Sequence, residues 1–387
     1  MPLQVTLTIF VLLPLLIYLS QTVLIYLGTH RLGYARSNKL PSISILVALR
    51  NEERTLASCV NSLLNLEYPP HLLEIVLIND RSRDRTPALI EQYKQKSNLI
   101  KTVHIDHSIK GLSGKANAIA QAINLCRGEI ILVTDGDCQV PKTWAKAHAA
   151  CYRKNVGLVG GFTLLDKKHT PATIFSKIQS LDWAYLLSIG TGAMGFGWPL
   201  SVLGNNFSFR RAAYEEVGGY RKMGFTIIED FALMKTLLHK TNWKVLYPIE
   251  PEMLVYSQAM PDFKAFYQQR KRWSAGGKEV GLYGKFLMAL ALTVHTLVPI
   301  SWFLINPVFC IAGLAVLIAA DYCLLLRTTG LVHRRDLLRF FAVWEIFYFL
   351  YTILFTPVLL FPTSVKWKDT TYTWKLNWKL KEMTERI

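Results

Sequence analysis

The chain has 387 residues, 51% of them hydrophobic, and a net charge of +17, so it is long enough for two domains and strongly basic. A basic balance raises nucleic acid as a partner. That partner is set aside because the charge gathers beside long apolar runs, at Arg31, Arg36 and Lys39 and again at Arg270, Lys271, Arg272, Lys278 and Lys285, as in cytoplasmic flanks facing anionic lipid. The six cysteines show no CxxC spacing, which points to a reduced, cytosol-facing domain.

Leu3 to Leu27 is a run without a charge, long enough to cross a bilayer of roughly 30 Å and unlike a cleaved signal peptide. It predicts a retained anchor over residues 1–30. Residues 31–285 have soluble composition. Ser42 to Ala48, rich in Ile and Val, predicts a first strand, and apolar Leu56, Val60, Leu63 and Leu64 follow at helical spacing until Tyr68-Pro69-Pro70. Glu74 to Ile78 reads as a second strand running into Asn79-Asp80-Arg81-Ser82-Arg83-Asp84-Arg85-Thr86, and Ile100 to Ile105 as a third. Gly111 to Ala122 leads through a helix into Ile130 to Cys138, an apolar strand that ends in Asp135-Gly136-Asp137. Strands alternating with helices predict an α/β fold of right-handed βαβ units with a mostly parallel sheet.

Such a sheet places its ligand beyond the carboxyl ends of its strands. Glu53, Asp80 and the Asp135/Asp137 pair all sit just past predicted strand ends. Singly, each has an ordinary reading: a turn residue for the aspartates, a helix-dipole charge for Glu53. Their recurrence favours a site. Two carboxylates around a glycine can share a hard divalent cation. A dinucleotide enzyme would need Gly-x-Gly-x-x-Gly after the first strand, where Ala48-Leu49-Arg50-Asn51-Glu52-Glu53 stands instead, and no P-loop is present.

In the second half, Gly157 to Phe162 predicts a strand and Thr173 to Ile189 a helix. Gly190 to Gly197, with four glycines in eight residues, reads as a mobile loop over the site. Thr226 and Glu229 have capping-box spacing before a helix over Phe231 to Leu238, which leaves Asp230 free. After Pro261-Asp262, a helix would place Gln269, Arg272 and Trp273 on one face. An amide, a guanidinium and an indole there can contact a diphosphate and wall an apolar surface, or form a basic interfacial helix. His104 and His107 lack further ligands at metal spacing, and His295 reads as a packing residue.

Phe286 to Leu326 carries one charge, Asp321, and breaks at Asn306-Pro307, which predicts two spans. Phe340 to Phe361 is a third candidate, with Glu345 inside it; together they make a membrane region over residues 286–362, followed by a basic tail over 363–387. Asp321 is expected to reach the interface, and Glu345 to face the bundle or a tunnel in it. The charges conflict, because three spans put the tail outside while Lys366, Lys368, Lys375, Lys379, Lys381 and Arg386 favour the cytoplasm. One of the three segments is therefore expected to be interfacial or re-entrant.

Asn51-Glu52-Glu53, Asn79-Asp80-x-Ser82-x-Asp84-x-Thr86, Lys115-Ala116-Asn117-Ala118, Asp135-Gly136-Asp137, Glu229-Asp230 and Gln269-x-x-Arg272-Trp273 together resemble a family 2 membrane glycosyltransferase of GT-A fold, over roughly Ser42 to Gly276. The resemblance implies a UDP-sugar held by Glu53 and Asp80 at uracil and ribose and by Asp135 near ribose and diphosphate, with Lys115 either near the nucleotide or solvated. It implies Asp137 as ligand of Mn²⁺ or Mg²⁺, Asp230 as general base, and Glu229, Gln269, Arg272 and Trp273 at the diphosphate and acceptor. The few spans favour transfer of one sugar, glucose, to a membrane lipid, as in ceramide or carotenoid glucosyltransferases, with the catalytic domain cytosolic on the inner membrane. A processive synthase, as for poly-N-acetylglucosamine, and a catalytically idle nucleotide-sugar-binding subunit are the alternatives.

Overall fold

A computed structural model describes residues 2–165, 173–224, 226, 228–277, 280–360, 365–367, 370–374 and 380–385. Helix α1 (Pro2–Thr29) precedes a βα series: β1 (Ile43–Leu49), α2 (Leu56–Leu64), β2 (Leu73–Asp80), α3 (Thr86–Lys96), β3 (Ile100–Ile105), α4 (Gly114–Ala122) and β4 (Ile130–Asp135). The second half runs through α5 (Trp144–Cys151), β5 (Val156–Gly160), β6 (Thr163–Leu164), α6 (Ile174–Met194), β7 (Asn206–Arg210), α7 (Arg211–Glu216), α8 (Gly219–Met223), α9 (Glu229–Lys240), β8 (Lys244–Leu246) and β9 (Val255–Tyr256). Helices α10 (Phe263–Gly277), α11 (Leu282–Leu304), α12 (Pro307–Leu331) and α13 (Phe341–Leu360) follow, then β10 (Val365–Trp367), β11 (Thr370–Trp374) and β12 (Leu380–Glu385).

The central sheet has the order β3-β2-β1-β4-β7-β5-β8. It is parallel except for β7, which runs antiparallel to β4 and β5. Both faces are covered, so its strands read as continuous apolar runs. Along β1, Ile45 and Val47 pack with Leu56, Val60 and Leu63 of α2 on one face, and Leu46 with Ala118 and Ile119 of α4 on the other. Each such side chain contributes roughly 1.5–3 kcal/mol by leaving water. Register then sets the site: Ala48 lies beside Asp135 and Leu49 beside Asn79, so β1, β2 and β4 end level with one another.

The antiparallel β7 is pinned by a buried polar network. Asn206 Oδ1 accepts from Trp144 Nε1 at 2.9 Å, while its Nδ2 donates to the carbonyls of Phe162 at 2.8 Å and Met253 at 2.9 Å. His148 Nδ1 meets Ser208 Oγ at 2.8 Å, and burial pushes the His148 imidazole down to about 3.

Among the described residues, four helices are long and apolar enough to cross a membrane: Leu3–Thr29, Leu282–Leu304, Pro307–Leu331 and Arg335–Leu354. The break at Asn306 falls as expected, with its Oδ1 accepting from Phe309 N at 2.8 Å to cap α12. Helix α6 of the sheet domain joins this bundle, packing against α1, α12 and α13. Here the expected mobile glycine loop is corrected, because Gly190 and Gly192 lie inside α6 and Gly195 closes it. A Cβ on Gly192 would stand 2.4 Å from the Ile25 carbonyl oxygen, and one on Gly195 2.1 Å from that of Gly28. The glycines let two helix backbones touch.

Asp321 is corrected too: it is fully buried rather than at an interface, and its Oδ1 accepts from Tyr18 at 2.9 Å and Tyr185 at 2.7 Å. Burying a carboxylate in a bundle is costly unless it is hydrogen-bonded, and two tyrosines supply those bonds. Glu345 is buried, and His295 packs among Tyr18, Tyr348 and Phe349. Arg270, expected among the lipid-facing flanks, is instead 1% exposed. Strand β10 lies against α10, whereas Lys368, Lys375, Lys379 and Arg386 of the tail are outside the described residues.

Candidate functional site

Beyond the level ends of β1, β2 and β4 lies a cavity of about 640 Å³. Asp80, Lys115, Asp135, Asp137, Glu229, Asp230, Gln269, Arg272 and Trp273 all line it, from elements far apart in the chain. Glu53 does not. Its Oε2 accepts from Arg85 N at 3.1 Å and its own N–H donates to Asp84 Oδ2 at 3.1 Å, so it ties the β1–α2 turn to the β2–α3 turn. Its neighbour Glu52 faces the cavity instead. Much of the Asn51 to Thr86 motif does the same stitching: Asn51 N donates to Ser82 Oγ at 3.0 Å, Arg83 N to Asn51 Oδ1 at 2.8 Å, and Glu52 N to Thr86 Oγ1 at 2.8 Å. Asn51 and Arg81 have φ values of 56° and 55°, and these cross-bonds hold the turns in that left-handed conformation.

Asp80 is 4% exposed and its Oδ1 accepts from Arg81 Nε at 3.0 Å. Lys115 is not a solvated surface lysine. Its Nζ donates to Asp135 Oδ1 and to the Gly204 carbonyl, each at 2.5 Å, linking α4 to the acidic turn after β4 and to the segment before β7. Burial opposes its charge, but Asp135 and then Glu229 outweigh that and raise its pKa. Gly136 lets the acidic turn form, since a Cβ there would lie 2.4 Å from Leu49 Cδ2. Asp137 Oδ2 accepts from Ser257 Oγ at 2.8 Å.

Burial, then the neighbouring Asp135, raises the pKa of Asp137. Two carboxylates crowded in this way suit a divalent cation, which would relieve their repulsion. Among the described residues no three His, Cys, Asp or Glu side chains converge as a self-contained metal site. The donor set therefore fits a cation shared between a carboxylate and phosphate oxygens, the usual arrangement for Mg²⁺.

On the opposite wall, α9 begins at Glu229 with Ile228 at its N-cap position and no side-chain cap. The expected capping box is absent: Thr226 Oγ1 accepts from Ile228 N at 3.1 Å, which turns Glu229 toward the cavity. Asp230 is 7% exposed and its Oδ1 accepts from Phe231 N at 2.8 Å. Burial, then Glu229, pushes the Asp230 carboxyl up to about 8. Burial likewise raises Glu229, against the pull of Lys115. A Cβ at Gly204 would come within 3.0 Å of both acids, so the glycine lets the backbone approach them.

The cavity also has an apolar wall, formed by Leu186, Leu187 and Ile189 of α6, by Leu200, Val202 and Leu203, and by Leu287, Met288 and Ala291 of α11. Sequence reasoning gave the cavity-facing place in Asn51-Glu52-Glu53 to Glu53 rather than Glu52, and it missed Gly204 and Ser257, which carry no motif, and α6, whose apolar residues run around the helix and do not reveal which neighbour they face. The one local signal on α6 was Asp182, a charge within an otherwise uncharged stretch from Ile178 to Met194.

The family description "Glycosyl transferase family 2" matches residues 44–218. A Beta-monoglucosyldiacylglycerol synthase of Trichormus variabilis is 31% identical over 267 residues, which cover 65% of this chain and 54% of that protein. A Poly-beta-1,6-N-acetyl-D-glucosamine synthase of Staphylococcus epidermidis is 28% identical over 243 residues, 62% of this chain and 56% of the relative. The chain thus spans about half the length of the curated relatives it matches. A mannosyltransferase of Pyrobaculum calidifontis, solved with GDP-Man and Mn2+, superposes with a TM-score of 0.54 at 17% identity, covering 91% of this chain and 99% of that one, which shows a shared fold. With its level strand ends and its acidic turn, the chain has a GT-A-like fold, and residues 44–218 within it are similar to glycosyl transferase family 2.

Proposed function

We propose that the protein is an inverting hexosyltransferase that moves glucose from UDP-glucose to a hydroxyl of a membrane lipid. One observation carries the acceptor: a single cavity joins six carboxylates to the apolar walls of α6 and α11, so a hydroxyl can meet Asp230 while its hydrocarbon chain stays among membrane helices. The relative named for monoglucosyldiacylglycerol supports a glucosyl donor and a glyceride-like acceptor. Asp80 is assigned to the nucleoside, with Lys115 and Asp135 beside the diphosphate.

Asp230 accepts the proton of the acceptor hydroxyl, whose oxygen then bonds to the anomeric carbon from the face opposite the leaving group. The bond from that carbon to the diphosphate oxygen breaks, and its electron pair leaves with UDP. A single displacement inverts the anomeric centre. Arg272 stabilises the charge gathering on the diphosphate, Gln269 donates to it, and Trp273 forms a flat wall for the acceptor. Glu229 keeps Asp230 a strong base through its nearby charge. Asp137 would hold the divalent cation together with the diphosphate, where the metal supplies charge neutralisation to the leaving group.

The proposed division is an anchor over residues 1–30, a cytosolic catalytic domain over 31–285, a membrane region over 286–362 and a tail over 363–387. Because β10 lies against α10, the tail is assigned to the catalytic side, which meets the positive-inside preference and makes α13 the segment that does not cross fully. The test is incubation of the membrane protein with labelled UDP-glucose and Mn²⁺ or Mg²⁺. Chloroform-soluble label that disappears with a chelator is the expected result, and an ethanol-insoluble chain would sink the single-transfer reading in favour of a polymerising synthase.

A further inference from the structure

Two adjacent residues of α6 grip α10 from the bundle side. Asp182 Oδ2 accepts from Arg270 Nη2, and both side chains are 0% exposed. The Arg270 guanidinium lies 4.2 Å from the centroid of the Trp273 ring and 4.8 Å from that of Phe266. The next α6 residue, Trp183, packs on Trp273 with centroids 5.1 Å apart at 48°. Trp183, Gln269, Arg272 and Trp273 line the cavity, while Asp182 and Arg270 lie behind them. The pair touches no substrate in the proposed reaction.

A buried ion pair is a poor source of stability, because desolvating two charges offsets their attraction, and well-packed apolar residues of similar volume often hold a fold as well. What a guanidinium between a carboxylate and two aromatic faces does supply is one fixed orientation. We propose that Asp182 and Arg270 are positioning residues that set the tilt of α10, and with it the placement of Arg272 and Trp273 against donor and acceptor. This inference rests on the glycosyl-transfer reading above. It also makes the helix bundle, through α6, part of the machinery that aligns the site.

The test uses the full-length protein in detergent with lipid, comparing wild type with the neutral double variant Asp182→Asn/Arg270→Gln, which leaves no buried charge unpaired. The measured quantity is the ratio of UDP-glucose hydrolysis to lipid transfer, which does not depend on how much of the protein is folded. A tilted α10 misplaces the acceptor wall and lets water compete, so the ratio should rise about tenfold or more, since sub-ångström to 1 Å misplacement costs up to roughly 10²-fold in transfer. A ratio equal to that of the wild type, whatever the total rate, overturns the proposal. If the wild type forms no lipid product, the acceptor reading fails separately, and UDP affinity measured by calorimetry decides instead: weaker binding by the double variant supports the positioning role of the pair, and unchanged binding overturns it.

Discussion

As the proposed base, Asp230 must be ionised to take a proton, yet burial and Glu229 hold its carboxyl up near 8. Free protein below that value carries mostly the protonated, inactive form. kcat/KM, which reports groups of the free enzyme, should therefore rise with pH along an acid limb near pH 8 and level off above it. Glu229→Gln removes the second-largest cause of that elevation, so the limb should move to lower pH, and a limb left in place would show that another group controls it. Asp230→Asn should lower transfer by about 10²–10⁴-fold with UDP affinity retained, read by calorimetry beside a transfer assay. Asp137→Asn should act differently, weakening the dependence on Mn²⁺ or Mg²⁺ and raising KM for the donor as well as lowering kcat.

At the scale of elements, α6 shows how much stability depends on close backbones. Gly192→Leu would force its side chain into the Ile25 carbonyl, 2.4 Å from the new Cβ, and should destabilise the protein by about 1–3 kcal/mol or more, read as a lower melting temperature in detergent. Gly190→Ala meets nothing within 4 Å and lies in the same helix, so it should hold or raise that temperature. The pair separates packing from helix propensity. These helix contacts were not legible in the sequence, where four glycines in eight residues look like a loop; only the partner helix α1 reveals why they are there. The strand ends were legible for the opposite reason, since β1, β2 and β4 carry their own apolar pattern and their polar stops fall directly at Arg50, Asp80 and Asp135. Glu53 and Glu52 could not be told apart, because adjacent residues at a turn exchange roles with a small change in backbone direction. The Asp182–Arg270 pair joins residues 88 apart, and no local spacing encodes that.

Across the whole molecule, the strand ends and the start of α9 supply the carboxylates, while α6, the 200–203 segment and the apolar helix α11 supply the apolar wall of the same cavity. In the proposed reaction a lipid chain leaving the bilayer would gain little hydrophobic energy on entering such a slot, because the surroundings it leaves are as apolar as those it enters. Selection of the proposed acceptor would then come from shape and from the reach of its hydroxyl to Asp230. Ala291 of α11 is a small residue on the apolar wall of the cavity. Ala291→Trp should fill that space at a steric cost of about 1–3 kcal/mol to a bound chain, which lowers transfer to lipid by roughly 5–150-fold. Hydrolysis of UDP-glucose, which needs only the polar half, should stay within about twofold of wild type, because sites without shared partners act independently. If hydrolysis and transfer fall together, the slot is a structural support of the donor site, and the acceptor must enter by another face.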